Sequence, residues 1–407
     1  MSELESISPQ PSEHSFTERL LELSLLFLKL GAISFGGPAA HIALIESEVV
    51  QQRKWITRQQ FLDMLGAANL IPGPTSTELA INTGYVRAGW AGLCVAGASF
   101  ILPAALITGA FAWIYVRFGK LPQAASVLAG IKPAVVAVIA MAIWRLGKAA
   151  VPDTGRAALA GLSLGAFFLG ANPIAILLVG GSVGMLARRG TAFRGSWRAF
   201  FPPFGVHGLL NYRRGLGVFA IAAATVGNVI KPTVGEIFLF FVKVGAVLFG
   251  GGYILLAFLG HGLVQQHAWL TQQQLLDAVA IGQFTPGPVL STATFIGYIL
   301  GGAPGAVVAT VGIFLPSFFY VALLAPMLFR LRKSAWIGAF LDSVNACAVA
   351  LMAGVTLQLG ADALRGPVPW IIALVALGVL LKWKVSPAWI VLGGGIAGFV
   401  AASLRVS

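Results

Sequence analysis

The sequence predicts an all-α, polytopic membrane protein made of two homologous halves, and three observations carry that expectation. Of its 407 residues, 57% are apolar and only 10% are Asp, Glu, Lys or Arg, against about 25% charged in an ordinary soluble domain. The stretch Ala91–Val116 runs 26 residues without a charge, longer at 1.5 Å per residue than the roughly 30 Å hydrocarbon core. The chain also repeats itself: adding 214 to each number superimposes Phe27–Pro74 on Phe241–Pro288 without a gap, with 20 of 48 positions identical. After a one-residue deletion the register continues at 213, pairing Gly84-Tyr85 with Gly297-Tyr298 and Pro103 with Pro316. Repeats of this kind decide an architecture before any single element does.

Taken in order, the first 18 residues carry Glu3, Glu5, Glu13 and Glu18 where a cleavable signal has a basic region, so the first apolar segment is expected to stay. That segment, about 19–37, leads into an amphipathic stretch and then a helical pair broken at Pro72-Gly73-Pro74. Apolar segments follow at about 91–116, 127–147, 156–170 and 173–187. A linker at 188–231 holds Arg188, Arg189, Arg194, Arg198, Arg213 and Arg214, a density that reads as cytoplasmic. The second half repeats the plan with a segment at about 235–258, a break at Pro286-Gly287-Pro288, and segments at about 303–329, 337–359, 367–381 and 386–404. About ten transmembrane segments result, in a first repeat at 1–187 and a second at 232–407. The apolar stretch Gly215–Ile230 has no partner in the first half.

Charge orients the halves. Arg53, Lys54 and Arg58 align with His267, Ala268 and Gln272, whereas Arg330, Arg332 and Lys333 outnumber Arg117 and Lys120. Arg145, Lys148 and Arg156 then outnumber Arg365, and Lys382 with Lys384 faces the uncharged Ala171-Asn172-Pro173. Equivalent loops with opposite bias favour inverted repeats, a plan common among secondary transporters. A spanning Gly215–Ile230 would break that parity. The excess of 27 Lys and Arg over 14 Asp and Glu does not point to nucleic acid, because the basic residues lie in the short gaps between apolar runs. Cys94 and Cys347 sit inside apolar segments and imply no disulfide framework.

The residues that could carry chemistry recur with the repeat. Pro-Gly-Pro cannot be regular helix, since each proline removes a donor and clashes with the preceding turn. Irregular backbone at membrane depth survives only where protein buries it or where it lines a wet cavity. Each copy precedes small hydroxyl residues, Thr75, Ser76 and Thr77 in one half and Ser291 and Thr292 in the other. A half-helix starting there would aim free N–H groups at an anion. Gly36-Gly37-Pro38 and Gly250-Gly251-Gly252 supply a second pair of breaks, which serve either ligand approach or close helix packing. Lys29 and Lys243 each stand seven residues before their double glycine. Converging at mid-membrane they would suit a dianion; the alternative is snorkelling to the interface.

Glu78 follows the first Pro-Gly-Pro and aligns near Thr292, so it is either a proton carrier for coupling or a satisfied core carboxyl. Arg87 and Arg145 read as anion contacts or interfacial anchors. Asp63 and Asp277, with Trp55 and Trp269, fit helix-capping and aromatic-belt roles. His41 is one-sided, without metal-ligand spacing. No nucleotide-binding P-loop, zinc-protease or nucleophile-elbow pattern appears, so neither an enzyme nor a cofactor is expected.

The run from Phe35-Gly36-Gly37-Pro38 to Trp55, both Pro-Gly-Pro elements with Gly-Tyr downstream, and Phe-Gly-Gly-Gly-Tyr at 249–253 together resemble the chromate ion transporter family in its long, two-domain form. The resemblance covers both halves. It implies efflux of chromate, a tetrahedral dianion similar to sulfate, across a bacterial inner membrane, driven by the electrochemical gradient and conferring chromate resistance. Chromate, with sulfate as a competitor, and the lipid bilayer are the expected partners, and a homo-oligomer is compatible with them. A sulfate or other small-anion transporter, or an anion channel, is the alternative.

Overall fold

The computed structural model describes residues 15–35, 38–68, 71–119, 122–190, 232–248, 255–324, 335–383 and 385–406. Within them the protein is helical, in fourteen α-helices. The first repeat holds α1 (Phe16–Ile33), α2 (Pro38–Glu46) ending in a π-helical turn at Ser47–Gln52, α3 (Arg58–Ala68), α4 (Thr75–Phe118), α5 (Pro122–Ala150), α6 (Thr154–Phe168) and α7 (Pro173–Gly190). The second holds α8 (Val234–Val247), α9 (Leu255–Leu259) with a π-helical turn at Gly260–Gln266, α10 (Gln272–Phe284), α11 (Thr292–Leu324), α12 (Ala335–Ala363), α13 (Pro367–Lys382) and α14 (Pro387–Val406). Of the expected features, Gly36, Gly37, Gly250, Gly251 and Gly252, the linker beyond Gly190, Gly215–Ile230, and the basic residues Lys120, Arg330, Arg332, Lys333 and Lys384 lie outside the described residues.

Among the described residues four stretches are long and apolar enough to cross a membrane: Thr75–Phe118, Ser126–Ala150, Val289–Leu323 and Gly338–Ala363. Other apolar helices are shorter, among them Pro173–Ala187, Pro367–Lys382 and Pro387–Ser403. The expected segment at 91–116 is the second limb of α4. Ala88 and Gly89 leave helical geometry there, Gly89 at φ 61° and ψ −146°, a backbone region essentially reserved for glycine. The chain folds back on itself at that point: a β-carbon on Gly84 would strike the Gly92 carbonyl, and one on Gly92 would strike that of Gly84. The second repeat reproduces the hairpin, with Gly302 at φ 63° and ψ −152° and Gly297 against Gly305.

Helix starts follow local chemistry. Ser15 and Glu18 form a reciprocal capping box on α1, and Thr233 with Glu236 forms one on α8. Thr57 with Gln60 and Thr271 with Gln274 do the same for α3 and α10. Asp63 and Asp277 are therefore not caps, contrary to expectation; both sit inside helices whose caps are already made.

The repeats are folded through one another. α4 packs on α1 and α11 on α8 within each repeat, while α4 and α11 pack together across the centre. α5 of the first repeat lies against α13 and α14 of the second, and α12, its equivalent, lies against α6 and α7. This reciprocity is the signature of an internal two-fold axis.

Candidate functional site

At the heart of the reciprocal packing each Pro-Gly-Pro loop docks on the opposite repeat. α1 ends at Ser34 and α8 at Leu248, equivalent positions whose carbonyls are freed by the helix end. Gly287 N–H donates to the Ser34 carbonyl and Gly73 N–H to the Leu248 carbonyl, each at 2.8 Å. The glycines are required. Their φ values are +148° for Gly73 and +86° for Gly287. A β-carbon on Gly73 would collide with Glu78 Oε1 and Ser317 Oγ, and one on Gly287 with Ala104. Pro72, Gly73, Pro74, Pro286, Gly287 and Pro288 are all buried.

Beyond each loop a new helix begins without a side-chain cap, at Pro74 for α4 and at Pro288 for the short turn Val289–Ser291 before α11. The Pro74 carbonyl accepts from Thr77 N at 2.8 Å and Glu78 N at 3.1 Å, so the positive end of the α4 dipole opens at the loop. Polar side chains gather around it. His41 Nδ1 lies 3.3 Å from Ser76 Oγ, and its Nε2 lies 3.0 Å from the same Ser34 carbonyl that receives Gly287. Ser291 accepts a hydrogen bond from Thr108 Oγ1 at 3.2 Å. Ser34 Oγ, Thr77 Oγ1, Ser317 Oγ and both carboxylate oxygens of Glu78 are buried without a hydrogen-bond partner among the described residues, and Glu78 is fully buried. Orphaned buried polar atoms mark places where water or a ligand completes the bonding. The arrangement offers helix-end N–H groups, hydroxyl donors and one carboxyl group in an otherwise apolar interior, the donor set of a small-oxyanion site beside a proton-accepting group.

The structure thus brings together Pro72, Gly73, Pro74, Thr75, Ser76, Glu78, Pro286, Gly287, Pro288 and Ser291. It does not bring the two lysines together, contrary to their expected convergence. Lys29 is 56% exposed and its ammonium lies 2.7 Å from Glu48 Oε1, while Arg53 stands 3.5 Å from Oε2. Lys243 is exposed and lines a separate cavity of about 350 Å³ with Glu236, His261, His267 and Trp269. Both lie on helix faces away from the loops, because the buried faces of α1 and α8 are filled by Phe27 and Leu30 and by Phe241 and Val244.

Arg87 is an anchor, paired with Glu22 at 3.0 Å and lying over Trp55; Arg145 is exposed. Sequence reasoning missed two groups. His41 joins both breaks, and Lys132 forms a buried ion pair with Asp277 at 3.2 Å, with Tyr115 Oη donating to Asp277 at 2.8 Å. Lys132 was visible as the single charge in 121–144. His41 gave no signal, since Leu255 replaces it in the repeat.

Comparison with known proteins agrees with this architecture. The family model of the chromate transporter matches residues 21–185 and again 235–399. The chain is 35% identical over 408 residues to a chromate transport protein of Cupriavidus metallidurans, covering 98% of this chain and 99% of the relative. It is 32% identical over 377 residues to a probable chromate transport protein of Synechococcus elongatus, covering 90% and 91%. A chromate transport protein of Pseudomonas aeruginosa is 29% identical over 398 residues, covering 93% and 92%. No solved structure matches.

Proposed function

The chain belongs to the chromate transporter family, whose members are membrane transporters and not enzymes, and from that premise we propose that it exports chromate across a bacterial inner membrane by secondary active transport. The reading rests on one observation above the others, the reciprocal docking of the two Pro-Gly-Pro loops onto the helix ends at Ser34 and Leu248. Broken helices from two repeats that meet at one point give a site reachable from either side by rocking one repeat against the other. The substrate is a tetrahedral dianion held by helix-end N–H groups and by the hydroxyls of Thr75, Ser76 and Ser291. Glu78, the carboxyl group at the first loop, is the coupling group. The repeats are inverted, as the opposite charge bias of their equivalent loops argues.

Radiolabelled chromate uptake into everted vesicles, with and without an imposed proton gradient and with sulfate as competitor, tests the reading. Saturable uptake that accelerates with the gradient is expected, with partial competition by sulfate because both anions present similar oxygens. Flux that rises linearly with the anion gradient and never saturates would replace the transporter with a channel.

A further inference from the structure

We propose that the second repeat carries an oxyanion-binding vestibule between Lys243 and His267, and that the first repeat shows the same site filled by its own carboxylate, Glu48. The inference rests on the transport reading for its place in a pathway, though not for the site itself.

In the first repeat Glu48 bridges two cations, with Lys29 at 2.7 Å from one oxygen and Arg53 at 3.5 Å from the other, and Arg53 stands over the Trp55 ring. The 214-residue register carries Lys29 to Lys243, Arg53 to His267 and Trp55 to Trp269. His267 keeps the aromatic platform, stacked on Trp269 with centroids 4.5 Å apart and planes at 23°. Glu48 alone loses its counterpart, because the equivalent residue is Gly262. The donor frame is retained and the anion deleted. A carboxylate between two nitrogen donors shows the kind of group such a frame accepts, so the second repeat presents an open frame to an anion from outside.

The surroundings agree. Lys243, His261, Gly262, His267 and Trp269 line one cavity of about 350 Å³, roomy enough for a hydrated oxyanion by comparison with about 30 Å³ per water. The Phe240 ring packs where a Gly262 β-carbon would stand, which keeps this repeat from accepting a side chain there. Glu236 is the one carboxylate among the described lining residues, and it is engaged by Thr233 N at 2.7 Å and Thr233 Oγ1 at 2.9 Å in its helix cap. Among the described residues Lys243 forms no ion pair. Asn172 and Pro173 bring the start of α7 to the cavity wall, adding the positive end of a helix dipole. Lys243 stands nine residues inside the start of α8, about 13 Å along the axis. The vestibule therefore reaches from a helix end toward the loop junction without being part of it. The ligand class is a tetrahedral oxyanion with two or more oxygens free to accept, either a soluble dianion or a lipid phosphate.

The test uses the full chain in phosphatidylcholine nanodiscs, with radiolabelled sulfate as a redox-inert probe. Lys243→Gln and His267→Ala are expected to weaken sulfate binding by about ten-fold or more, as loss of a charge-assisted hydrogen bond does. The double substitution Gly262→Glu with Phe240→Leu rebuilds the first repeat's arrangement and should abolish binding at this site. If wild-type protein binds no sulfate but retains phosphatidylglycerol in a Lys243-dependent way, the occupant is a lipid phosphate and the site stands. Unchanged sulfate affinity together with unchanged phosphatidylglycerol retention in well-folded Lys243→Gln overturns it. A wild-type protein that binds sulfate through Lys243 yet moves no chromate would overturn the transport reading alone.

Discussion

Glu78 is the fully buried carboxyl group beside the first Pro-Gly-Pro loop. Its carboxyl group sits in the interior close to Gly73 and Ser317, with no hydrogen-bond partner on either oxygen among the described residues. Charge there is costly, and proton exchange during the transport cycle is the use proposed for it. Glu78→Gln keeps the shape and removes the exchangeable proton. In proteoliposomes it should retain chromate exchange between loaded and external pools while losing gradient-driven accumulation by an order of magnitude or more. Equal loss of both, or retention of both, would assign Glu78 a structural role. At this scale the sequence was partly legible. Glu78 stood out because a charge followed a helix break, whereas the pairing of Lys29 was not legible because its partner Glu48, nineteen residues on, is brought beside it only by the α2 turn. Asp277 was assigned to capping because its ion pair with Lys132 joins segments far apart in the chain.

Elements were legible wherever backbone chemistry fixes them. Pro-Gly-Pro broke the helices as proline requires, whereas the capping boxes at Thr57 and Thr271 that start α3 and α10 were not read from the sequence, which pointed to Asp63 and Asp277 instead. The sharp reversals at Gly89 and Gly302 were not foreseen, since glycine at the edge of an apolar run reads equally as close packing. Their backbone angles carry a prediction. A β-carbon at Gly89 or Gly302 meets nothing within 4 Å, so Gly89→Ala or Gly302→Ala costs backbone strain alone, about 1–3 kcal/mol. Thermal unfolding in detergent should fall for either variant, while Gly161→Ala, at a helical glycine with equally open space, should leave it unchanged or raise it slightly. Equal effects at all three positions would argue against the hairpin geometry.

For the whole molecule, duplication was legible from the 214-residue register, but the exchange of packing between repeats was not. Nothing in an alignment of two halves tells whether α5 lies on its own α6 and α7 or on α13 and α14. Lys54 and Ala268, equivalent residues that share a left-handed φ of 52° and 51°, lie in matching turns. Single cysteines introduced beside them, with Cys94 and Cys347 replaced, should label from opposite faces of the membrane if the repeats are inverted. Labelling of both from one face would make the two-fold axis run along the membrane normal instead.

If the interlocked loops hold the transported anion, the half-saturation concentration for chromate uptake in proteoliposomes depends on the hydroxyls beside them. Ser76 and Ser291 each stand beside a loop and keep their helices if shortened to alanine. Each hydroxyl hydrogen bond to a bound oxyanion contributes about 1.5–3 kcal/mol, because the acceptor is charged, so Ser76→Ala and Ser291→Ala should each raise half-saturation by about ten-fold to a hundred-fold, and together by more. Half-saturation unchanged from wild type in the well-folded double variant would place the anion elsewhere and contradict the account.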